Sequence, residues 1–236
     1  MAELRVRRIR TQATVMSAFL LVSSGCAGGA ENESAAASFQ VASVHFEQNA
    51  TDGDVEVVFE VEGGEEGLAE LIVVSPDGRR VVDFKAPDSS TLGIRQFRFE
   101  SPEPSDVESL KAAYPEGVYE FAGKTSSGAE LVGNSSLSHR LPAAATFVRP
   151  APAAEKVSMT DLEISWSAVE GVASYVVEIE QDELNVRITA LLQGSSTSFT
   201  VPNGFLLPGM EYQVAIGTVS GEGNISFVET SFTTEL

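Results

Sequence analysis

Short runs in which every second residue is apolar recur along this chain, and they constrain its fold more than any other feature. One run covers residues 55–61 and another covers residues 175–179. Because successive side chains of a β-strand point to opposite faces, this period of two predicts strands with one buried face. Turn sequences separate the runs, so the sequence predicts an all-β fold with two tandem β-sandwich domains.

The first sandwich is predicted to span residues 39–147, where acidic residues are frequent. A hairpin is expected where the turn sequence 75–78 joins the apolar runs 71–74 and 81–84. Proline presets φ for this turn, and the glycine that ends it accepts the left-handed conformation. The number and spacing of the short strands favour an immunoglobulin-like sandwich.

One helix is expected to interrupt the strands of this domain. Ser105 and Glu108 have the spacing of a capping box, in which each side chain bonds the backbone of the other. Three side chains then fall on one helical face: Val107, Leu110 and Tyr114. Pro115 is predicted to end the helix because proline cannot continue it.

The stretch 206–216 predicts a corner at which a loop turns into a core strand. Pro208 and Gly209 supply the bend, and Tyr212 is expected to fold back over it. Residues 114–121 repeat the pattern with an aromatic residue, a Pro-x-Gly bend and a second tyrosine.

The second sandwich is predicted to span residues 148–236, after a stiff connection rich in proline and alanine at residues 143–154. Its pattern resembles a fibronectin type III domain over residues 152–234. The residues that carry the resemblance are also assigned to the structural core, because aromatic residues on sandwich strands usually pack inside: Trp166, Tyr175, Leu206 and Tyr212. No Arg-Gly-Asp triplet occurs, so the resemblance does not imply integrin binding.

The first 25 residues predict an export signal. Four arginines precede an apolar run at residues 13–22, and small residues then lead to Cys26. The run is about half of the roughly 20 residues needed to span a bilayer. Its end resembles a bacterial lipobox, although Ser23 stands where leucine is preferred, and this implies acylation of Cys26 and attachment to a membrane.

Ordinary signal cleavage, with Cys26 incidental, is the alternative at this terminus. The residue after the cysteine is Ala27 rather than aspartate, which by resemblance to diderm lipoproteins implies the outer membrane or cell surface; a periplasmic or secreted location is the other expectation. Residues 26–38 contain no large apolar side chain. Because such a segment cannot bury enough apolar surface to become ordered, it is predicted to form a flexible tether. The whole chain also resembles uncharacterised bacterial secreted lipoprotein-like proteins.

Charge and cysteine content exclude several classes of function. The formal net charge of −19 disfavours nucleic acid as a partner, because phosphate would be repelled. With a single cysteine, Cys26, the chain can form neither an intrachain disulfide nor a cysteine zinc site.

The sequence indicates no enzyme. His45 and His139 are its two histidines, and no Gly-x-Ser-x-Gly elbow or phosphate-binding glycine loop is present. The remaining candidate for a ligand site is the loop at residues 49–56, where Asp52 and Asp54 could supply oxygen ligands to calcium. The alternative is a turn in which aspartate and glycine serve backbone geometry; no other cofactor is expected.

Three functions stay open on the sequence. The first is a non-catalytic exported lipoprotein that acts as an interaction or spacer module at the cell envelope, with a protein or envelope partner. The second is a carbohydrate- or cell-wall-binding protein, for which Phe205 is the exposed aromatic candidate. The third is an accessory subunit of an envelope complex that docks through an exposed sheet edge.

Overall fold

The computed structural model describes residues 36–86, 93–104 and 106–236. These residues form strands in sandwich-like sheets with one short helix, which confirms the predicted all-β class. They divide into two compact units. The N-terminal unit contains the described residues of 16–46 and 55–139, and the C-terminal unit contains residues 47–54 and 140–236.

The N-terminal unit is built on elements in the following order: β1 (Ala37–Ser38), the first part of β2 (Val41–Asn49), β3 (Asp54–Glu62), β4 (Leu68–Val74), β5 (Arg80–Lys85), β6 (Gln96–Glu100), α1 (Val107–Ala113), β7 (Gly117–Thr125) and β8 (Glu130–Leu137). One sheet has the strand order β1-β8-β7-β4-β5. Strand β3 pairs antiparallel with β6.

The buried face of the N-terminal unit follows the alternation in the sequence. Leu71 and Val73 of β4 and Phe121 of β7 are buried, whereas the residues between them are less covered. The hairpin from β4 to β5 turns at Gly78, whose φ of 84° is the left-handed conformation expected there. Strand β3 departs from a strict period of two, because Val58 is buried as fully as its neighbour Val57.

Helix α1 begins one residue later than the predicted capping box. Its N-cap is Asp106, whose carboxylate accepts a hydrogen bond of 2.8 Å from the Ser109 backbone N–H. Leu110 is the buried residue of this seven-residue helix. Pro115 follows the C-cap residue Tyr114, as the sequence predicted.

The C-terminal unit contains the remaining strands: β9 (Phe147–Arg149), β10 (Ala154–Val157), β11 (Glu163–Trp166), β12 (Val172–Gln181), β13 (Val186–Gln193), β14 (Ser198–Thr200), β15 (Glu211–Ser220) and β16 (Ile225–Thr234). A three-stranded sheet has the order β14-β11-β9. The facing sheet contains β13-β12-β15-β16, and β10 pairs with β16 in parallel.

The proline- and alanine-rich stretch at residues 143–154 is not a free linker. Residues 147–149 form β9, and Ala145 belongs to the buried core of the C-terminal unit. The carbonyls of Pro142 and Ala143 accept hydrogen bonds of 2.7 Å from Ser226 Oγ and 2.8 Å from Thr218 Oγ1. These contacts hold the stretch against the sheet, so its composition alone was a poor guide to its structure.

Residues 47–54 pack in the C-terminal unit, although the sequence analysis grouped them with residues 39–147. The last residues of β2, 47–49, pair in parallel with β16. Ala50 N donates a hydrogen bond of 2.8 Å to the Phe227 carbonyl, and Glu229 N donates one of 2.8 Å to Thr51 Oγ1. The boundary at residues 147 and 148 stays a prediction. The predicted signal peptide and most of the tether lie outside the described residues.

Candidate functional site

The Tyr212 corner joins the two sheets of the C-terminal unit. The Tyr212 side chain is fully buried, and its hydroxyl accepts a hydrogen bond of 2.9 Å from the Leu207 backbone N–H. Gly209 makes the bend with a φ of 67°. The tyrosine ring stacks on Phe232 at 5.7 Å between centroids. Leu206, the leucine that opens the corner, is buried in the same core.

Trp166 and Tyr175 lie in this core as well. Their ring centroids are 5.3 Å apart, and the Tyr175 hydroxyl accepts a hydrogen bond of 2.8 Å from the Val169 backbone N–H. Phe205 is half-buried and packs 5.9 Å from Tyr212, so the expectation that it is an exposed platform is wrong. All four aromatic side chains therefore contribute to packing in this core.

The loop with Asp52 and Asp54 is a turn closed by its own polar groups. The Asn49 carboxamide accepts from Thr51 N at 2.9 Å, and the Asp52 carboxylate accepts from Asp54 N at 3.0 Å. Gly53 has a φ of 84°, which favours glycine there. Within the described part of the chain, no group of three or more His, Cys, Asp or Glu residues could hold a metal. Calcium binding at Asp52 and Asp54 stays a prediction.

Both histidines lie in the N-terminal unit. His45 is buried, and His139 has its Nε2 atom 2.8 Å from the Tyr114 carbonyl. Cys26 lies outside the described residues. Among the residues that the structure places, no helix is long and apolar enough to cross a membrane.

A buried carboxyl on β12 is a feature that the sequence analysis missed. Glu178 has no exposed surface, and its one hydrogen bond to a described group is a contact of 3.4 Å from Thr189 Oγ1 to Oε1. Its Oε2 atom is buried and has no hydrogen-bond partner. Burial, opposed by the nearby Arg187 and reinforced by Glu47, raises the pKa of Glu178 to about 7. Alternation predicted this side chain to be in solvent, so no local signal could have revealed it.

Further carboxylates lie along the same part of the sheet. Glu180 forms an ion pair of 2.9 Å with Arg187. Burial raises the pKa of Glu229, and the negative charges of Asp52 and Glu180 act in the same direction. A cleft of about 720 Å³ opens here and is lined by five acidic residues and by no lysine, arginine or histidine: Glu180, Asp182, Glu183, Glu211 and Glu229. The cleft therefore presents a negative surface.

Strand β13 is the outermost strand of its sheet and pairs with β12 on one side. Its eight residues are in register with β12 without a bulge. A regular edge strand offers a row of backbone N–H and C=O groups to another extended chain. Leu191 is 51% exposed on this strand.

The sequence and the structure of this chain were compared with those of known proteins. No curated protein matches the sequence of this chain. Among solved structures, the chicken CNTN1 FN1–FN3 domains share 14% identity and a TM-score of 0.33, with 85% of this chain and 65% of that chain covered. A two-domain fibronectin type III segment of chicken tenascin shares 15% identity and a TM-score of 0.32, with 82% and 98% covered.

The fibronectin(III)-like modules of Clostridium thermocellum CbhA share 9% identity and a TM-score of 0.33, with 86% of this chain and 92% of that chain covered. The chain thus spans 65% of the length of the first of these three structures. The family model of the fibronectin type III domain matches residues 150–234. That segment contains Trp166, Tyr175 and the Tyr212 corner, and residues 150–234 therefore form a fibronectin type III domain.

Proposed function

We propose that this protein is a non-catalytic interaction or spacer module that is exported and held at the cell envelope. The observation that carries the proposal is the fibronectin type III domain at residues 150–234, a domain that commonly links or positions other proteins. The sheet edge at β13 supports polypeptide binding, because an edge strand presents backbone groups that can pair with another chain.

The envelope part of the proposal rests on the N-terminal sequence. The basic start, the apolar run and the small residues before Cys26 are the parts of an export signal. Acyl chains on Cys26 would hold the protein on a membrane, because each buried methylene adds about 0.8 kcal/mol. The expected location is the outer membrane or cell surface.

Fractionation of cells that express the full chain tests this location. We expect the wild-type protein in the membrane fraction and labelled by a radioactive fatty acid, and Cys26→Ser unlabelled and released from the membrane. Cys26→Ala is the matched variant, because it removes the thiol without leaving a hydroxyl. Wild-type protein that stays in the cytosol with its leader intact would overturn the proposal.

Partner binding is tested separately with detergent-solubilised envelopes of the source cells. Wild-type protein and a Trp166→Ala variant, whose core is expected to be strongly destabilised, serve as bait and control. A partner retained by the folded protein and lost with the variant supports an interaction module. A hydrolytic or transfer activity that one polar substitution abolishes would contradict it.

A further inference from the structure

The outer strands of the described sheets differ in length and charge. Four edge strands are short: β1 has two residues, β9 and β14 have three each, and β10 has four. The longer edges carry several charges: β5 has Arg80, Asp83 and Lys85, and β6 has Arg98 and Glu100. Short length and charged side chains are the devices by which sheet proteins prevent pairing with other chains.

Strand β13 has neither device. It is eight residues long, and its sequence VRITALLQ contains a single charged side chain, Arg187. That charge is partly neutralised by the ion pair of 2.9 Å with Glu180 of the neighbouring strand, and 25% of the Arg187 side chain is exposed. A long, regular and nearly uncharged edge is open to pairing, and here it is presented by a domain whose other described edge strands are three or four residues long.

We propose that β13 is a docking edge for an extended segment of a partner protein, which adds to the sheet antiparallel to β13. The inference rests on the proposed function and deepens it by naming the surface and the chemistry of the partner. The backbone groups of β13 supply the hydrogen bonds, as in other cases of β-strand addition. We expect uncharged side chains in the centre of the partner segment, because they would lie beside the uncharged side chains of Thr189 and Leu191 on the exposed face of β13.

Acidic residues near the start of β13 determine which charge is expected at one end of the partner segment. The hairpin before β13 carries Asp182 and Glu183, and both line the acidic cleft. The C-terminal end of an antiparallel segment lies beside Val186, next to this hairpin. We therefore expect lysine or arginine at that end. A second copy of this chain is disfavoured as the occupant, because each copy has a net charge of −19.

A synthetic peptide tests the edge. The probe is a fluorescent, acetylated peptide of alternating threonine and valine that ends in two lysines, and binding to the full chain is followed by anisotropy. Two control peptides end in two glutamates or carry N-methylated backbone amides. We expect the lysine peptide to bind best and the N-methylated peptide not to bind, because strand addition requires backbone N–H groups.

A matched pair of variants locates the binding. Leu191→Lys places a charge on the edge, whereas Val118→Lys places one on β7, which lies between β8 and β4. The two side chains are 51% and 52% exposed, so both substitutions are compatible with folding. We expect Leu191→Lys to weaken peptide binding about tenfold, or about 1.4 kcal/mol, and Val118→Lys to leave it unchanged. Amide chemical-shift changes confined to β13 would support the same conclusion.

Each other outcome overturns the inference. If the lysine peptide does not bind to the wild type, the proposed chemistry of the partner is wrong. If the peptide binds equally well to Leu191→Lys, β13 is not the binding site. A wild-type dimer that Leu191→Lys dissociates would assign the edge to a second copy instead. These results are independent of Cys26 fractionation, so failure of the docking edge and failure of the envelope proposal are distinguishable.

Discussion

Both units contain a tyrosine corner, and the two corners use their hydroxyl groups in opposite ways. The Tyr212 hydroxyl accepts a hydrogen bond of 2.9 Å from Leu207 N, whereas the Tyr119 hydroxyl donates one of 3.1 Å to the Pro115 carbonyl. Proline has no N–H, so the backbone at Pro115 offers an acceptor only. Burial raises the pKa of the Tyr119 hydroxyl, the donor of this bond, to about 12. The two corners therefore differ in the direction of their hydrogen bond, and their glycines differ in φ, which is 67° at Gly209 and 135° at Gly117.

The surroundings of the two corners differ as well. Tyr119 packs edge-on against Phe59 at 5.7 Å, whereas the Tyr212 core also includes the Trp166 and Tyr175 pair. Buried acids are treated differently too. Glu60 of the N-terminal unit meets Arg98 at 2.7 Å, whereas Glu178 of the C-terminal unit has a hydroxyl contact of 3.4 Å. Five substitutions test how far these differences affect stability.

The largest effect is expected from Trp166→Ala. Removing this buried side chain costs about 3–5 kcal/mol through lost burial and a cavity. Urea unfolding, followed by tyrosine fluorescence in both proteins, measures the change. The exposed Val148→Ala serves as the control, and its effect should stay within about 0.5 kcal/mol. An unchanged urea midpoint for Trp166→Ala would show that the tryptophan does not support this core.

A pH-dependent effect is expected from Glu178. The pKa of Glu178 is raised from 4.5 to about 7 in the folded protein, so the folded state binds its proton more tightly than the unfolded state does. The protonated Glu178 side chain makes its full contribution to the free energy of unfolding below pH 4.5. This contribution declines as the pH rises and is lost by about pH 7. The total loss is on the order of 3 kcal/mol.

Glu178→Gln should flatten this pH dependence, because glutamine resembles the protonated acid and does not titrate. Thermal unfolding between pH 4.5 and 8 measures it. Glu163→Gln, on the exposed side of β11, is the control and should keep the wild-type slope. A slope that survives in Glu178→Gln would assign the effect to another group, with Glu229 as the first candidate.

Intermediate effects are expected when each corner loses its hydroxyl. Tyr212→Phe leaves the Leu207 N–H without its acceptor, and Tyr119→Phe leaves the Pro115 carbonyl without its donor. Each should cost about 1–2 kcal/mol. We expect the larger loss for Tyr212→Phe, because a carbonyl has a second lone pair while an N–H has one direction. Equal losses in chemical denaturation would show that the polarity of the corner is irrelevant.

The smallest effect concerns the helix that precedes the Tyr119 corner. Asp106→Ala removes the N-cap of α1 and should cost about 1 kcal/mol. Asp106→Asn keeps an acceptor for the Ser109 N–H and should restore most of the stability. If the alanine and asparagine variants unfold at the same temperature, the cap contributes nothing to the N-terminal unit.

The sequence was sufficient where the signal is local. Alternation predicted the strands, and Pro208-Gly209 and Pro115-x-Gly117 predicted the two corners, because backbone geometry and side-chain direction are set within a few residues. Trp166 and Tyr212 could be assigned to a core because large aromatic residues are buried in most sandwiches. The fibronectin type III resemblance rested on the same residues and is confirmed over residues 150–234.

Tertiary structure decided which faces are covered and which edges are free. In the alternating pattern of β12, Glu178 falls on the face opposite the core and is therefore expected in solvent, yet it has no exposed surface. Phe205 lies in a loop and packs on Tyr212. Residues 47–49 pair with β16, almost 180 residues later in the chain. Local patterns contain no information on which distant strand will be a neighbour, and burial and pairing depend on that neighbour.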